Sequence, residues 1–382
     1  MDLSLDETQE LFRRTARDFA ARELAPHVRE WDRAEAYDPD VLRSLAEVGF
    51  LGLTLPAEYG GTPSDQVAYC LVLEELGAVD SAIRGVISVN VGLVGKTLVA
   101  WGDPDQQAEF LPGMCDGSRI ACFALTEPGS GSDPASLRTT ARRDGGDWIL
   151  DGQKTFITNG IRAGVALVFA RTGEGRRGIT AFLVPTDAPG FERRKIDGKL
   201  GLRAQDTAEL FFDGVRVPDA YRLGEVGRGL AVALSALNRG RMSVAAGCVG
   251  IARGAFEAAL AYAKERTQFG RPIASFQLVQ EHLAEMAVDV ETARLVTWRV
   301  ASMFDRGEEV TIESSIAKYH ASEAAIRVAD RAVQVHGGYG YIDEYPVGKF
   351  LRDARVMTLY EGTSEIQKLI IGRHLTGVSA FT

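Results

Sequence analysis

The sequence predicts an α+β protein in three parts: an N-terminal α-helical domain over 1–118, a middle β domain over 119–226 and a C-terminal bundle of long helices over 227–382. Three observations lead there. Apolar residues recur at helical spacing up to about residue 120. Short β-rich runs with hairpin punctuation begin at Arg119, and helical spacing returns over much longer stretches from about Gly227. No fixed-period repeat and no low-complexity tract interrupts this order, so separate helical and sheet layers fit better than a repeat array.

In the first part, "MDLSLDETQELFRRTARDFAARELAPHV" mixes acids with arginines on an amphipathic rhythm. Transit peptides lack acids and signal peptides carry an apolar run, so this reads as a first structural helix. "PDVLRSLAEVGFLGL" and "QVAYCLVLEELGAVD" continue at helical spacing, separated by the Pro/Gly stretch "LPAEYGGTPSD". In the second part, "TTARRDGGDWILDG" turns at Asp144-Gly145-Gly146-Asp147, "VALVFARTGEGRRGITAFLVP" turns at Gly173-Glu174-Gly175, and "AELFFDGVRVP" closes the region. The third part has helices from about Leu230 to Gly270, Phe276 to Asp305 and Ile312 to Val335, and a last one opening near Ser364.

Composition narrows the function. A chain of 382 residues with 46% hydrophobic content buries a large core, and a net charge of −9 disfavours nucleic acid or an anionic membrane as the main partner. Cys70, Cys115, Cys122 and Cys248 form no CxxC pair and read as reduced, mostly buried thiols. Five scattered histidines give no metal-site spacing. No window reaches the apolar length of a membrane span on this reading, and a soluble, cytoplasmic protein is expected.

The segment "LYEGTSEIQKLIIGR" sets Glu361 between an aromatic residue and a glycine, just before an apolar helix. A glutamate there is ordinarily a solvated loop acid. Ser364 and Gln367 have the S-x-x-Q spacing of a capping box, which would start the helix at Ser364 with Glu361 at its N-terminal end. The helix dipole would favour the ionised carboxylate and burial the neutral acid, two opposed effects that poise a base near neutral pH. "FALTEPGSGSD" has glycines spaced for backbone N–H groups to approach a ligand, but it lacks the third glycine of a dinucleotide fingerprint. "GQKT" lacks the upstream glycine of a P-loop.

Taken in order, "ALTEPGSGSD", "FITNG", "ERTQFGRPIASFQ", "QVHGGYGY" and "YEGTSEIQ" resemble the motifs of the acyl-CoA dehydrogenase family over essentially the whole chain. The resemblance implies FAD, a homotetramer, an acyl-CoA or acyl-carrier-protein thioester as substrate, and delivery of electrons to an electron-transfer flavoprotein. It implies Glu361 as catalytic base, with Gly362 leaving room for the thioester. Some members carry the base on the long helix instead, at the position of Gly240 here, which cannot take a proton. Phe123, Leu125, Thr126 and Ser132 are implied against flavin or substrate, Thr126 as a hydrogen-bond partner of the flavin ring. Phe156, Ile157 and Thr158 stand where the family usually has Trp-Ile-Thr, keeping an aromatic surface without the indole N–H. Arg266, Gln268, Phe269, Gln334, Gly337 and Gly338 resemble contacts to the FAD diphosphate and adenine, several supplied by a neighbouring subunit. Thr363 and Glu365 complete the nucleotide contacts, and Asn238 and Arg241 resemble positions near the thioester.

"AVDSAIRGVISVN" falls on the helix that lines the far end of the acyl cavity in relatives. It is similar to glutaryl-CoA dehydrogenases, in which the arginine at the position of Arg84 binds a terminal carboxylate. The glutamate those enzymes carry seven residues earlier is Gly77 here. The alternative is that Arg84 pairs with Asp80 and only shortens the pocket. Either way a short acyl group is expected, since an unpaired buried charge does not meet a hydrocarbon tail. Two other readings remain: a flavin monooxygenase or oxidase on the same fold, and a non-enzymatic binding module, which the charge disfavours.

Overall fold

The computed structural model describes residues 4–380. The chain begins with α1 (Glu7–Phe19), whose first turn is closed by a capping box between Asp6 and Gln9. Then come α2 (Val28–Ala34), α3 (Asp40–Glu47), α4 (Gln66–Gly77), α5 (Ser81–Ile87), α6 (Lys96–Trp101) and α7 (Pro104–Cys115). From Ala68 to Gly77, α4 is buried on every side, Glu74 and Glu75 included. Those two carboxylates lie inside because Arg253 and Arg294 meet Glu74 and Arg17 and Arg253 meet Glu75, all within ion-pair distance.

The middle part is one sheet of β1 (Ala121–Ala124), β2 (Thr140–Asp144), β3 (Asp147–Thr158), β4 (Val165–Arg171), β5 (Ile179–Pro185), β6 (Phe191–Lys195), β7 (Thr207–Pro218) and β8 (Arg222–Leu223). Its order is β6-β7-β3-β2-β4-β5-β8, with β1 added in parallel to β4. The Asp144–Asp147 pair closes the β2–β3 hairpin at the turn expected from the sequence, and β4 and β5 pair antiparallel across residues 172–178. The ladder between β3 and β7 slips between Lys154 and Ile157. That bulge lifts Phe156 out of the sheet with a left-handed φ of 58°.

The last part holds α8 (Gly229–Glu265), α9 (Gln277–Asp305), α10 (Thr311–His336), α11 (Val347–Met357) and α12 (Ser364–Thr376). Glycines let α4 and α8 touch backbone to backbone. A Cβ at Gly250 would lie 2.5 Å from the Glu74 carbonyl oxygen, and one at Gly254 would lie 2.3 Å from that of Ala78. This crossing welds the N-terminal helices to the long-helix bundle. The stretches Ser81–Trp101 and Gly229–Glu265 are long and apolar enough to cross a membrane, contrary to the sequence expectation. Both are largely buried inside the fold, and their apolarity is what a core helix surrounded by protein requires.

Candidate active site

The turn between α11 and α12 puts Glu361 at φ 52° and Gly362 at φ 93°. A left-handed glutamate is strained by about 1–3 kcal/mol and persists only where its surroundings hold it. Three contacts do so. Lys318 Nζ on α10 donates to the Gly362 carbonyl at 2.8 Å, and Gln367 Nε2 donates to the carbonyls of Gly362 and Glu361 at 3.0 and 3.2 Å. The expected capping box is therefore not formed. The N-cap is Thr363, whose hydroxyl accepts from the Ile366 N–H at 3.3 Å, so Gln367 lies one position too far along the helix and folds back onto the turn. The glycine at 362 also has a reason within the fold: a Cβ there would lie 2.5 Å from Gln367 Nε2.

The Glu361 side chain points against α8. Its Oε2 is buried without a hydrogen-bond partner, and a Cβ at Gly240 would lie 1.9 Å from it. Gly240 is thus more than an unused base position, because it makes the space the carboxylate occupies. Burial pushes the Glu361 carboxyl up to about 7, while Arg84, Lys318 and Arg241 pull it back toward the ionised form.

Arg84 is buried on α5 and donates to the hydroxyls of Ser81, Ser88 and Tyr360 at 2.8, 3.0 and 3.1 Å. It makes no pair with Asp80. That carboxylate caps α5 through the Ala82 N–H at 3.0 Å and takes Lys349 of α11 at 2.9 Å. Arg241 is also buried and donates to Asn238 Oδ1 at 2.8 Å, while Asn238 donates to Thr311 at 2.9 Å. Among the described residues no carboxylate lies within 4.0 Å of the guanidinium of Arg84 or of Arg241. Arg84 and Arg241 face Glu361 with neutral hydrogen-bond partners only.

A second group lies where the sheet meets α5. Leu125 is buried, Phe123 packs on Phe169 with ring centroids 5.0 Å apart, and the Thr155 N–H donates to the Thr126 carbonyl at 2.9 Å. That bond brings Thr126 beside Phe156, Ile157 and Thr158. Ile157 is buried, whereas Phe156 is 68% exposed on its bulge. Ser132 stands exposed on the loop beyond. Lys154, fully buried, ties the Leu125 carbonyl (3.2 Å) to Glu127 (2.7 Å) and fixes this loop to β3. Asn159 donates to the carbonyls of Val86 and Ala121, and Gln205 joins Thr158 to Ala82. The sheet is thereby bolted to the helix that carries Arg84.

A third group is separate. Arg266, Gln268, Gln334, Gly337 and Gly338 line one cavity of about 560 Å³ between the ends of α8 and α10. Phe269 stands outside it, 92% exposed at φ 52°. Thr363 and Glu365 belong to the Glu361 turn and not to this cavity. A Cβ added at Gly129, Gly131, Gly337 or Gly338 would meet no atom within 4 Å, so open space lies beside these glycines in both glycine-rich stretches. An aromatic face on a strained bulge, open glycine loops and a cavity with an arginine and two amides fit a flavin nucleotide.

Sequence reasoning missed Lys318, Gln205 and the clamping role of Gln367. For Lys318 a signal existed: it lies in register with Ser314, Ala321 and Ala325 on the buried stripe of α10.

Three-part helical, sheet and helical architecture around a buried carboxylate and an open nucleotide-sized surface is that of a flavin-dependent acyl-thioester oxidoreductase. Family models for the N-terminal, middle and C-terminal domains of acyl-CoA dehydrogenase match residues 6–118, 122–215 and 227–376. The chain is 40% identical to the short-chain specific acyl-CoA dehydrogenase of Mus musculus over 375 residues, 98% of this chain and 91% of the mouse protein. It is similar to butyryl-CoA dehydrogenase from Megasphaera elsdenii, with a TM-score of 0.96 and 38% identity over 98% of this chain and 100% of that one. It is likewise similar to a Mycobacterium smegmatis glutaryl-CoA dehydrogenase in complex with FADH2, with a TM-score of 0.95 and 38% identity over 99% of this chain and 97% of that one. The chain belongs to the acyl-CoA dehydrogenase family. It is an FAD-dependent oxidoreductase acting on CH–CH groups.

Proposed function

We propose that this enzyme removes two hydrogens from the α and β carbons of a short acyl-CoA, with Glu361 as the base. The observation that carries the reading is the orphaned Oε2 of Glu361, buried without a partner on a strained turn and faced by cations. A structural carboxylate in that setting would take one of those cations as a hydrogen-bonded partner. A carboxylate held free and poised at about 7 instead accepts a proton at working pH. Arg84, Arg241 and Lys318 favour the ionised form before transfer, and the water-poor surroundings suit the neutral acid after it. FAD, when bound, supplies the acceptor for the hydride leaving the β carbon. Leu125, Thr126, Ile157 and Thr158 would hold its ring, Phe156 would cover it, and Arg266, Gln268 and Gln334 would hold its nucleotide end.

A short acyl group is supported by the buried Arg84 and by the tight α4–α8 crossing beside it, where a Cβ added at Gly77 would lie 3.2 Å from the Gly247 carbonyl oxygen. The named activities of the mouse and Megasphaera relatives support a short chain. A second reading, a dicarboxylic thioester such as glutaryl-CoA, is favoured by the absence of any acid paired with Arg84 among the described residues and by the Mycobacterium relative. The occupied space at Gly77 leaves no glutamate there to assist decarboxylation. Exposure of Phe269 and Tyr341 at 92% and 91% supports assembly as a tetramer that completes the nucleotide site. Electron-transfer flavoprotein as acceptor and a cytoplasmic location belong to the same proposal. Turnover of butyryl-, hexanoyl-, palmitoyl- and glutaryl-CoA tests it: preference for palmitoyl-CoA would overturn the short pocket.

A further inference from the structure

Lys318 is fully buried on α10, and its ammonium makes one hydrogen bond among the described residues, to the Gly362 carbonyl. No carboxylate there lies within ion-pair distance of it. An ammonium with three donors and a single neutral partner is a costly thing to bury. Methionine would fill the same volume, and Gln367 already satisfies the same carbonyl at 3.0 Å, so neither packing nor carbonyl satisfaction explains a lysine here. The element it grips is the strained turn of the base. The same helix grips that turn a second time, where Ser364 donates to Glu323 at 2.6 Å.

We propose that Lys318 is a positioning residue that clamps the Gly362 carbonyl and so holds the left-handed Glu361 turn with its carboxylate against Gly240. The assignment rests on Glu361 being the base. The cation also acts on the carboxylate through space. Glu361 faces Arg84 on α5, Arg241 and Cys248 on α8, Lys318 on α10, Tyr69 on α4 and Tyr360 beside it. Of the three cations, only Lys318 also holds the backbone that carries the carboxylate. Burial drives its own ionisation down to about 8, opposed in part by Cys248 and Glu361.

The test uses FAD-loaded enzyme and the variants Lys318→Met and Lys318→Arg, read by hydrogen exchange of the amides at 359–364, pH-rate profiles with butyryl-CoA, and Tm. For Lys318→Met, exchange of those amides rises about tenfold or more while the rest of the chain is unchanged. Its kcat falls about ten- to a hundredfold with KM within about threefold, because a base displaced by a fraction of an ångström misses the reacting geometry. The acid limb of the profile moves to higher pH, since losing a cation disfavours the carboxylate. Its Tm at pH 7 is at or above that of the wild type, the opposite of what loss of a scaffold contact gives. Lys318→Arg, which keeps the cation and a donor, recovers part of kcat and returns the limb toward wild type. Wild-type exchange and pH profile in Lys318→Met overturn the proposal. So does a Lys318→Met chain that loses FAD or unfolds, because the clamp acts on one turn only. The exchange measurement is independent of turnover, so it judges the clamp even if Glu361→Gln retains activity and the base assignment itself fails.

Discussion

Replacing Gly240 by alanine separates the site's chemistry from its stability. The added Cβ would lie 1.9 Å from Glu361 Oε2 and 2.7 Å from Leu93 Cδ2, where ordinary contact begins near 3.4 Å. Both neighbours are the free ends of flexible side chains, so the structure yields by swinging the carboxylate away by about 1.5 Å, leaving the backbone in place. A misplacement of about 1 Å costs roughly a hundredfold in rate, about 3 kcal/mol of transition-state stabilisation. In the interior of α8, alanine is meanwhile favoured over glycine by about 1 kcal/mol. Gly240→Ala should therefore retain FAD and show an equal or higher Tm while kcat/KM for butyryl-CoA falls about a hundredfold. Wild-type kcat/KM in this variant would refute the placement of the carboxylate against α8.

Three further outcomes follow from the same geometry. The wild-type kcat/KM should fall tenfold per pH unit below about 7, because Glu361, the proposed base, must be ionised and burial holds it near that value; a profile flat to pH 5 would contradict this. Between 4.5 and 7 the folded state binds a proton that the unfolded state has lost, so this group's contribution to stability declines as pH rises through that window. Glu361→Gln should thus match the wild type in Tm near pH 4.5 and exceed it above pH 7, by at most about 3 kcal/mol in stability. Arg84→Met should shift the acid limb upward, as Arg84 is the cation that acts most strongly on Glu361. If Arg84 also reads a carboxylate, the ratio of glutaryl- to butyryl-CoA activity falls with it, and an unchanged ratio assigns Arg84 to the base alone.

The three-part order was legible because periodicity changes twice along the chain, and the Asp144–Asp147 hairpin because its turn residues admit few alternatives. What escaped depends on contacts far apart in sequence. The Arg84–Asp80 pair was plausible from helical spacing, but Asp80 is the N-cap of α5, and Lys349, 269 residues away, takes its carboxylate. The capping box at Ser364 and Gln367 failed by one residue, because the clamp on Gly362 outcompetes it. Apolar length suggested no membrane-scale segment, whereas α8 has one because it is enclosed by other helices. Strain was also invisible in one dimension. Of the seven non-glycine residues with positive φ among the described residues, Phe156, Phe269 and Glu361 are all positions the motifs singled out, which ties those motifs to built geometry and not to loop composition.

In the proposed reaction Glu361 takes the α-proton. The most direct measurement is anaerobic mixing of butyryl-CoA with FAD-loaded wild type and Glu361→Gln, following flavin absorbance in a single turnover. Rapid bleaching is expected in the wild type. In the variant, FAD and substrate bind with little change while bleaching slows by several orders of magnitude, since the amide fills the same space but cannot accept the proton. Bleaching of Glu361→Gln at the wild-type rate would place the base elsewhere.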